Sequence, residues 1–241
     1  MQTEGRVRKA LVTGGSRGIG AAICRALARD GWHVYVNYNK SREKALALAE
    51  EIGGEAVWAD VSDVNAVKAM FDAVGDVELL VNNAGIAHAE LVQELTDEVW
   101  RELYGVNIDG AFYCTRAAAP GMIRAKQGNI IFIASVCGVY GSSCEGGYAS
   151  TKGAMISMTK SLFKELGPSG IRVNAVAPGV IVTDMLTDGF NDEEIAVMAA
   201  EAPLGRNGTP EDVAELVAFL ASDRSSFITG QIIGCDGGFR V

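Results

Sequence analysis

Histidine and cysteine are too few and too scattered in this chain to build a metal site. The two histidines, His33 and His88, form no cluster. The five cysteines (Cys24, Cys114, Cys137, Cys144, Cys235) lie far apart and show neither Cys-x-x-Cys nor Cys/His spacing. Zinc binding and a disulfide scaffold are thereby excluded, and buried reduced thiols are expected. No apolar run is long enough to span a bilayer, and the opening MQTEGRVRKALVTGG does not read as a signal peptide. A soluble, cytoplasmic protein with no membrane partner is expected. Positive charge is scarce as well: 21 Lys and Arg face 30 Asp and Glu, a formal net charge of −9. That balance excludes general nucleic-acid binding, which draws its affinity from neutralising phosphates. Any anionic ligand must be met by local basic groups. Linkers, repeats and low-complexity segments are absent too, so the 241 residues are read as one domain, 1–241.

What is present is a 49% hydrophobic chain in which short β-rich apolar runs alternate with amphipathic helical segments. This is the pattern of an α/β protein with a doubly wound parallel sheet and helices on both faces. About seven strands are expected, at 9–13, 33–38, 56–59, 79–82, 129–134, 172–177 and 231–234. Among the helix starts, Thr209-Pro210-Glu211-Asp212 is the clearest, with threonine as N-cap, proline at the first helical position and acids in the first turn.

Two motifs carry chemistry. Thr13-Gly14-Gly15-Ser16-Arg17-Gly18-Ile19-Gly20 sits between the first strand and a helix expected over 21–30. Its glycines let the backbone turn sharply and approach a pyrophosphate, while the helix N-terminus faces the anion. The Lys-Ser/Thr ending of an NTP-binding loop is missing, which disfavours ATP hydrolysis. The second motif is Tyr148-Ala149-Ser150-Thr151-Lys152, with Ser135 thirteen residues before the tyrosine. On a helix, Tyr148 and Lys152 share a face. A tyrosine titrates near ~10, and an adjacent ammonium is expected to lower that value toward the range useful to a general acid. Together these motifs indicate a nicotinamide-dependent carbonyl reductase.

Read in order, TGGSRGIG (13–20), Asp60-Val61, Asn82-Asn83-Ala84-Gly85, Asn107, Ser135, YASTK (148–152), Pro178-Gly179 and Thr183 resemble the classical short-chain dehydrogenase/reductase family over essentially the full length. The resemblance implies a Rossmann-type sheet with the cofactor across the carboxyl ends of the strands. It assigns cofactor binding to Gly14, Ser16, Arg17, Gly18, Ile19, Gly20, Asp60, Val61, Asn83, Ala84, Gly85, Tyr148, Lys152, Pro178, Gly179, Val180, Ile181 and Thr183, and it leaves Asn82 a structural role. The implied catalytic set is Asn107, Ser135, Tyr148 and Lys152. Tyr148 protonates the carbonyl oxygen, Ser135 hydrogen-bonds it, Lys152 lowers the tyrosine pKa and holds the nicotinamide ribose, and Asn107 fixes a proton-relaying water.

Cofactor preference is argued from charge. An NAD enzyme usually ends its second strand with an acid that bonds the ribose 2′-hydroxyl and repels a 2′-phosphate. Residues 36–42 read VNYNKSR, with no acid. NADP(H) is therefore expected, held at its 2′-phosphate by Arg17, Asn39, Lys40 and Ser41.

Within the family the chain is most similar to 3-oxoacyl-acyl-carrier-protein reductases, through NYNKS, GIRVNAVAPG (170–179), TDM (183–185), PLGR (203–206) and ITG (228–230). Specificity is assigned to 136–147 and to a lid at 183–202. Arg124 and Lys126 stand where such reductases meet the acyl carrier protein, whereas Ser169 replaces a frequent basic residue. Ser-Cys-Glu-x-x-Tyr at 143–148 also resembles reductases of the 5-aminopentanone modification on elongation factor P, in which Glu145 could face an amine. A non-catalytic NADP(H)-binding regulator is a third reading. The family further implies a homotetramer paired through the helices at 107–123 and 148–165.

Overall fold

The computed structural model describes residues 7–239. Runs dense in Val, Ile and Leu become strands because their side chains can be buried on both faces of a sheet, as parallel strands require. β1 (Arg8–Val12), β2 (Trp32–Tyr38), β3 (Glu55–Trp58), β4 (Leu79–Asn82), β5 (Gly128–Ile133), β6 (Ile171–Pro178) and β7 (Ile232–Cys235) form one sheet in the order β3-β2-β1-β4-β5-β6-β7. Every pairing is parallel. Each expected strand is found, with bounds displaced by one residue or none.

The chain winds outward from β1 through β2 to β3, returns to β4 beside β1, then winds the other way. The reversal opens a crevice between the carboxyl ends of β1 and β4, the place where such sheets bind ligands. Alternation within strands divides the core. Ala10, Val12, Val81 and Ile131 point to the face covered by α1 (Gly18–Arg29), α2 (Arg42–Ile52) and α10 (Pro210–Ala221). Leu11, Leu80, Ile130 and Phe132 point to the opposite face, covered by α3 (Val64–Val74), α5 (Gly110–Ala125) and α7 (Gly146–Leu166). Leu11, Leu80 and Phe132 are fully buried, each contributing about 1.5–3 kcal/mol of transfer free energy.

Two helix boundaries differ from expectation. α1 starts at Gly18, not Ala21, because the second half of the glycine motif already has helical geometry. The helix expected over 107–123 is interrupted: α4 (Asp97–Tyr104) passes through a π turn at Gly105–Asp109 into α5. Asn107 lies in that turn and is fully buried. A π turn admits one extra residue per turn, and such insertions recur at functional sites. The start of α10 is as read: Thr209 and Asp212 form a reciprocal capping box, with Pro210 at the first helical position. Short helices α6 (Val136–Tyr140) and α8 (Asp184–Thr187), followed by α9 (Asp192–Glu201), complete the rim above the carboxyl ends.

Candidate active site

The glycine motif and the segment after β4 are stitched together. Thr13 Oγ1 accepts from the amides of Asn83 (2.9 Å) and Ala84 (3.0 Å), and Asn83 Nδ2 donates to the carbonyls of Thr13 (2.9 Å) and Gly14 (3.1 Å). The Gly14 amide donates to Asn37 Oδ1 at 3.1 Å. Gly14 has φ +60, and a Cβ there would stand 2.9 Å from the Ala84 backbone. A Cβ at Gly20 would overlap the Gly14 carbonyl. At the N-terminus of α1, Arg17 gives no side-chain cap and the first turn holds no acid. Its amides and the positive end of the helix dipole thus remain for an anion. These residues fit the pyrophosphate of a dinucleotide.

Around the expected 2′-phosphate contacts the structure divides the set. Asn39 and Lys40 lie near the Asp60 carboxylate and help to lower its pKa. Asp60 Oδ1 also accepts from the Ser62 amide (2.9 Å) and hydroxyl (2.6 Å). Those bonds, Ser62 first, hold the carboxyl below its usual range. Ser41 leads into α2 without a side-chain cap bond. Arg17 instead reaches toward Asp184, its Nη1 3.7 Å from Oδ2. Val61 is buried in the core and packed against Gly110. Thr183 packs its methyl group over Gly18, and Ile181 bridges to Gly208. Pro178 ends β6, and Gly179 lies so close to Asp236 that a Cβ would come within 2.8 Å of its backbone.

The other half of the site hangs on α7. Tyr148 and Lys152 lie one turn apart, with Lys152 Nζ 5.6 Å from the centre of the tyrosine ring. The ammonium is buried and donates to the Ile133 carbonyl at the end of β5 (2.8 Å). Ser135, two residues further on, caps α6 by accepting from the Cys137 amide (3.1 Å), and its hydroxyl faces Tyr148 closely enough to pull that phenol's pKa down. α6 and α7 approach this closely because Gly138 has no side chain: a Cβ there would come 2.6–2.8 Å from Lys152 and the Gly153 amide. Asn107 completes the constellation, for a Cβ on Gly85 would lie 3.3 Å from its Oδ1 and 3.4 Å from Lys152 Nζ.

Electrostatics depart from the sequence expectation at one point. The Tyr148 hydroxyl is raised well above the ordinary phenol range, chiefly by burial and further by Cys137 and Glu145, while the bond from Ser135 pulls it back. Lys152 does not lower it, because the ammonium is turned to Ile133 and is itself pushed down to about 8 by burial. The phenol is therefore held protonated, the form a general acid needs, and the lysine is the group poised near neutrality. Asn107 is held from two sides. Its Oδ1 accepts from the Ile86 amide (2.9 Å), and its Nδ2 donates to the Ile86 carbonyl (3.0 Å) and to Thr151 Oγ1 (2.9 Å). Its contacts within the protein are those of a brace between loop and helix.

Residues 14–240 match the family model described as Enoyl-(Acyl carrier protein) reductase. The 3-oxoacyl-[acyl-carrier-protein] reductase FabG of Staphylococcus aureus is 45% identical, over 97% of this chain and 98% of that protein. The 3-oxoacyl-[acyl-carrier-protein] reductase of Synechocystis is 42% identical over 95% of each. The crystal structure of 3-oxoacyl-[acyl-carrier protein] reductase from Brucella melitensis superposes with a TM-score of 0.88 at 38% identity, covering 97% of this chain and 91% of that one. The chain belongs to the short-chain dehydrogenase/reductase family. It is an oxidoreductase of the ketone/alcohol couple.

Several bracing roles in the reductase's site escape a motif reading. Thr13, Asn37 and Thr151 are buried polar residues that fix the glycine loop, the β4 segment and Asn107. A buried Thr or Asn in a strand or helix is no signal until its partner is known. Lys44, in the first turn of α2, lies 3.8 Å from Asp184, a neighbour of Arg17 that the sequence does not show. Glu145, which precedes α7, accepts from Cys137 Sγ (3.4 Å). Of the residues considered for a carrier protein, Arg124 is paired with both oxygens of Asp76 (2.9 and 3.0 Å) and Lys126 ends α5 in a left-handed conformation (φ 56). Among the apolar residues on the two helices expected to pair copies, Met155 is core, whereas Phe112 is 44% exposed beneath the Arg116 guanidinium. Among the described residues, no group of three His, Cys, Asp or Glu side chains could hold a metal, and no helix is long and apolar enough to cross a membrane.

Proposed function

We propose that this chain reduces the 3-keto group of a 3-oxoacyl thioester carried by acyl carrier protein to the 3-hydroxyacyl product, with NADPH as the reductant. The observation that carries the reading is Ser135 facing a buried Tyr148 whose pKa is raised by burial, with the Lys152 ammonium buried beside the tyrosine ring. When bound, the reduced nicotinamide supplies the hydride to the carbonyl carbon. Ser135 orients the substrate by hydrogen-bonding its carbonyl oxygen, where negative charge develops. Tyr148 delivers its proton to that oxygen, so the product leaves as an alcohol. Lys152, positively charged below its pKa of about 8, is the cation beside that phenol and would hold the nicotinamide ribose. The first-turn amides of α1 and the guanidinium of Arg17 hold the phosphates, and the lack of an acid at 36–42 admits a 2′-phosphate. Arg124 and Lys126 remain the basic residues on the face where a carrier protein would dock, although the pairing of Arg124 with Asp76 weakens its claim.

A second reading is favoured by one observation. The Glu145 carboxylate is close enough to Tyr148 to raise its pKa, a location that suits a ketone bearing an amine, such as the 5-aminopentanone group. The deciding experiment follows NADPH oxidation with acetoacetyl-CoA, beside NADH and a Tyr148→Phe variant. Turnover that needs the tyrosine and prefers NADPH supports the thioester reading. Turnover of amino ketones alone, lost in Glu145→Ala, supports the second. Tight NADPH binding without turnover of any ketone leaves a cofactor-binding regulator.

A further inference from the structure

The first residues of the lid lie against the glycine motif, beside α1 and α2. Asp184 Oδ2 is 3.7 Å from Arg17 Nη1 and 3.8 Å from Lys44 Nζ, so one carboxylate oxygen sits between the two cations. The neighbouring Thr183 packs its methyl group 3.4 Å from where a Cβ on Gly18 would stand. All three charged side chains border one cavity of about 410 Å³ beside the N-terminus of α1. A third cation on its wall, Arg25, is already held by both oxygens of Glu51 (2.7 and 2.9 Å). Arg17 and Lys44 are thus the positive charges whose counter-ion comes from the lid and not from their own helices.

We propose that Asp184 is an internal stand-in for the 2′-phosphate: it occupies Arg17 and Lys44 in the free protein, and NADPH must displace it to bind. The inference rests on the NADPH reading above and adds two assignments, Lys44 as a phosphate contact and Asp184 as a residue that sets cofactor discrimination. A 2′-phosphate carries more negative charge than a carboxylate and wins the two cations. Once it is seated, like charges repel Asp184 and release the base of the lid, where Thr183 packs over Gly18. NADH has no group that can make this exchange, so it binds beside an intact latch. Cofactor choice and lid position become one equilibrium. The three side chains are 56–63% exposed, so each pair is individually weak and the latch is easily opened.

The test is cofactor affinity measured by calorimetry on the intact protein and on Asp184→Asn, together with hydrogen exchange at residues 184–187. Asp184→Asn should bind NADPH about three- to ten-fold more tightly and NADH unchanged. Its 184–187 amides should exchange faster without cofactor, as those of the unmodified protein should when NADPH is added. Lys44→Ala should weaken NADPH several-fold and leave NADH unchanged. NADPH affinity that does not rise in Asp184→Asn, or exchange at 184–187 that NADPH leaves untouched, overturns the proposal. If the unmodified protein binds NADH as tightly as NADPH, the cofactor reading itself fails, a result distinguishable from the others because it needs no variant.

Discussion

Asn107 donates a 2.9 Å hydrogen bond to Thr151 Oγ1, joining the π turn to the helix of Tyr148 and Lys152 at a point where both residues are fully buried. Thr151 in turn donates to the Tyr148 carbonyl at 2.7 Å. Removing the hydroxyl strands a buried amide donor, at a cost of about 1–3 kcal/mol. Thr151→Val should lose that much stability in urea titration and lower kcat about ten-fold with little change in KM, whereas Thr151→Ser should restore both. A variant as active as the parent would show that Asn107 needs no brace.

Contact between α6 and α7 makes Gly138 the steric key to the site. Gly138→Ala forces a methyl group against Lys152 and Gly153, which costs about 1–3 kcal/mol and parts Ser135 from Tyr148. Activity should fall at least ten-fold. Gly146→Ala is the control, since nothing lies within 4 Å of a Cβ there.

The charge on Lys152 sets an alkaline limit. Burial lowers its pKa to about 8, while Tyr148 stays protonated far above that. Reduction needs the charged lysine, so kcat/KM should fall as pH rises through about 8. A profile level to pH 10 would remove Lys152 from the proton chemistry.

Loss of the Tyr148 hydroxyl removes the phenol that faces Ser135. Tyr148→Phe should lower kcat about 10²–10⁴-fold while cofactor binding, read by fluorescence, persists. Residual activity above a tenth of the parent would reassign the acid.

Remote from the site, Thr209 caps α10 by accepting from the Asp212 amide, and the Asp212 carboxylate receives Arg206 at 2.7 and 2.9 Å and the Thr209 amide at 2.8 Å. Thr209→Ala should cost about 1 kcal/mol in thermal or urea unfolding. Arg206, then Thr209, hold the Asp212 carboxyl far below its usual value. Its contribution is complete above the unfolded pKa near ~4 and fades as pH falls toward the folded one. Asp212→Asn should therefore flatten the acid limb of stability, and an unchanged limb would contradict this.

Strands were legible because a parallel strand is buried on both faces and reads as a short apolar run, as at Leu79–Asn82 and Gly128–Ile133. The glycine loop and Tyr-x-x-x-Lys were legible because their chemistry depends on residues adjacent in the chain. Harder to read was anything that joins distant segments. The π turn at Asn107 follows from its fit against Ile86 and Thr151, 21 and 44 residues away. The raised tyrosine and lowered lysine follow from burial, which no local pattern states. Arg17 and Asp184 are 167 positions apart, and only the sheet crossover that returns the lid over the glycine loop makes them neighbours. Local sequence chose the elements and the reactive groups; long-range packing decided their partners and protonation, because those depend on desolvation and on charges brought together by the fold.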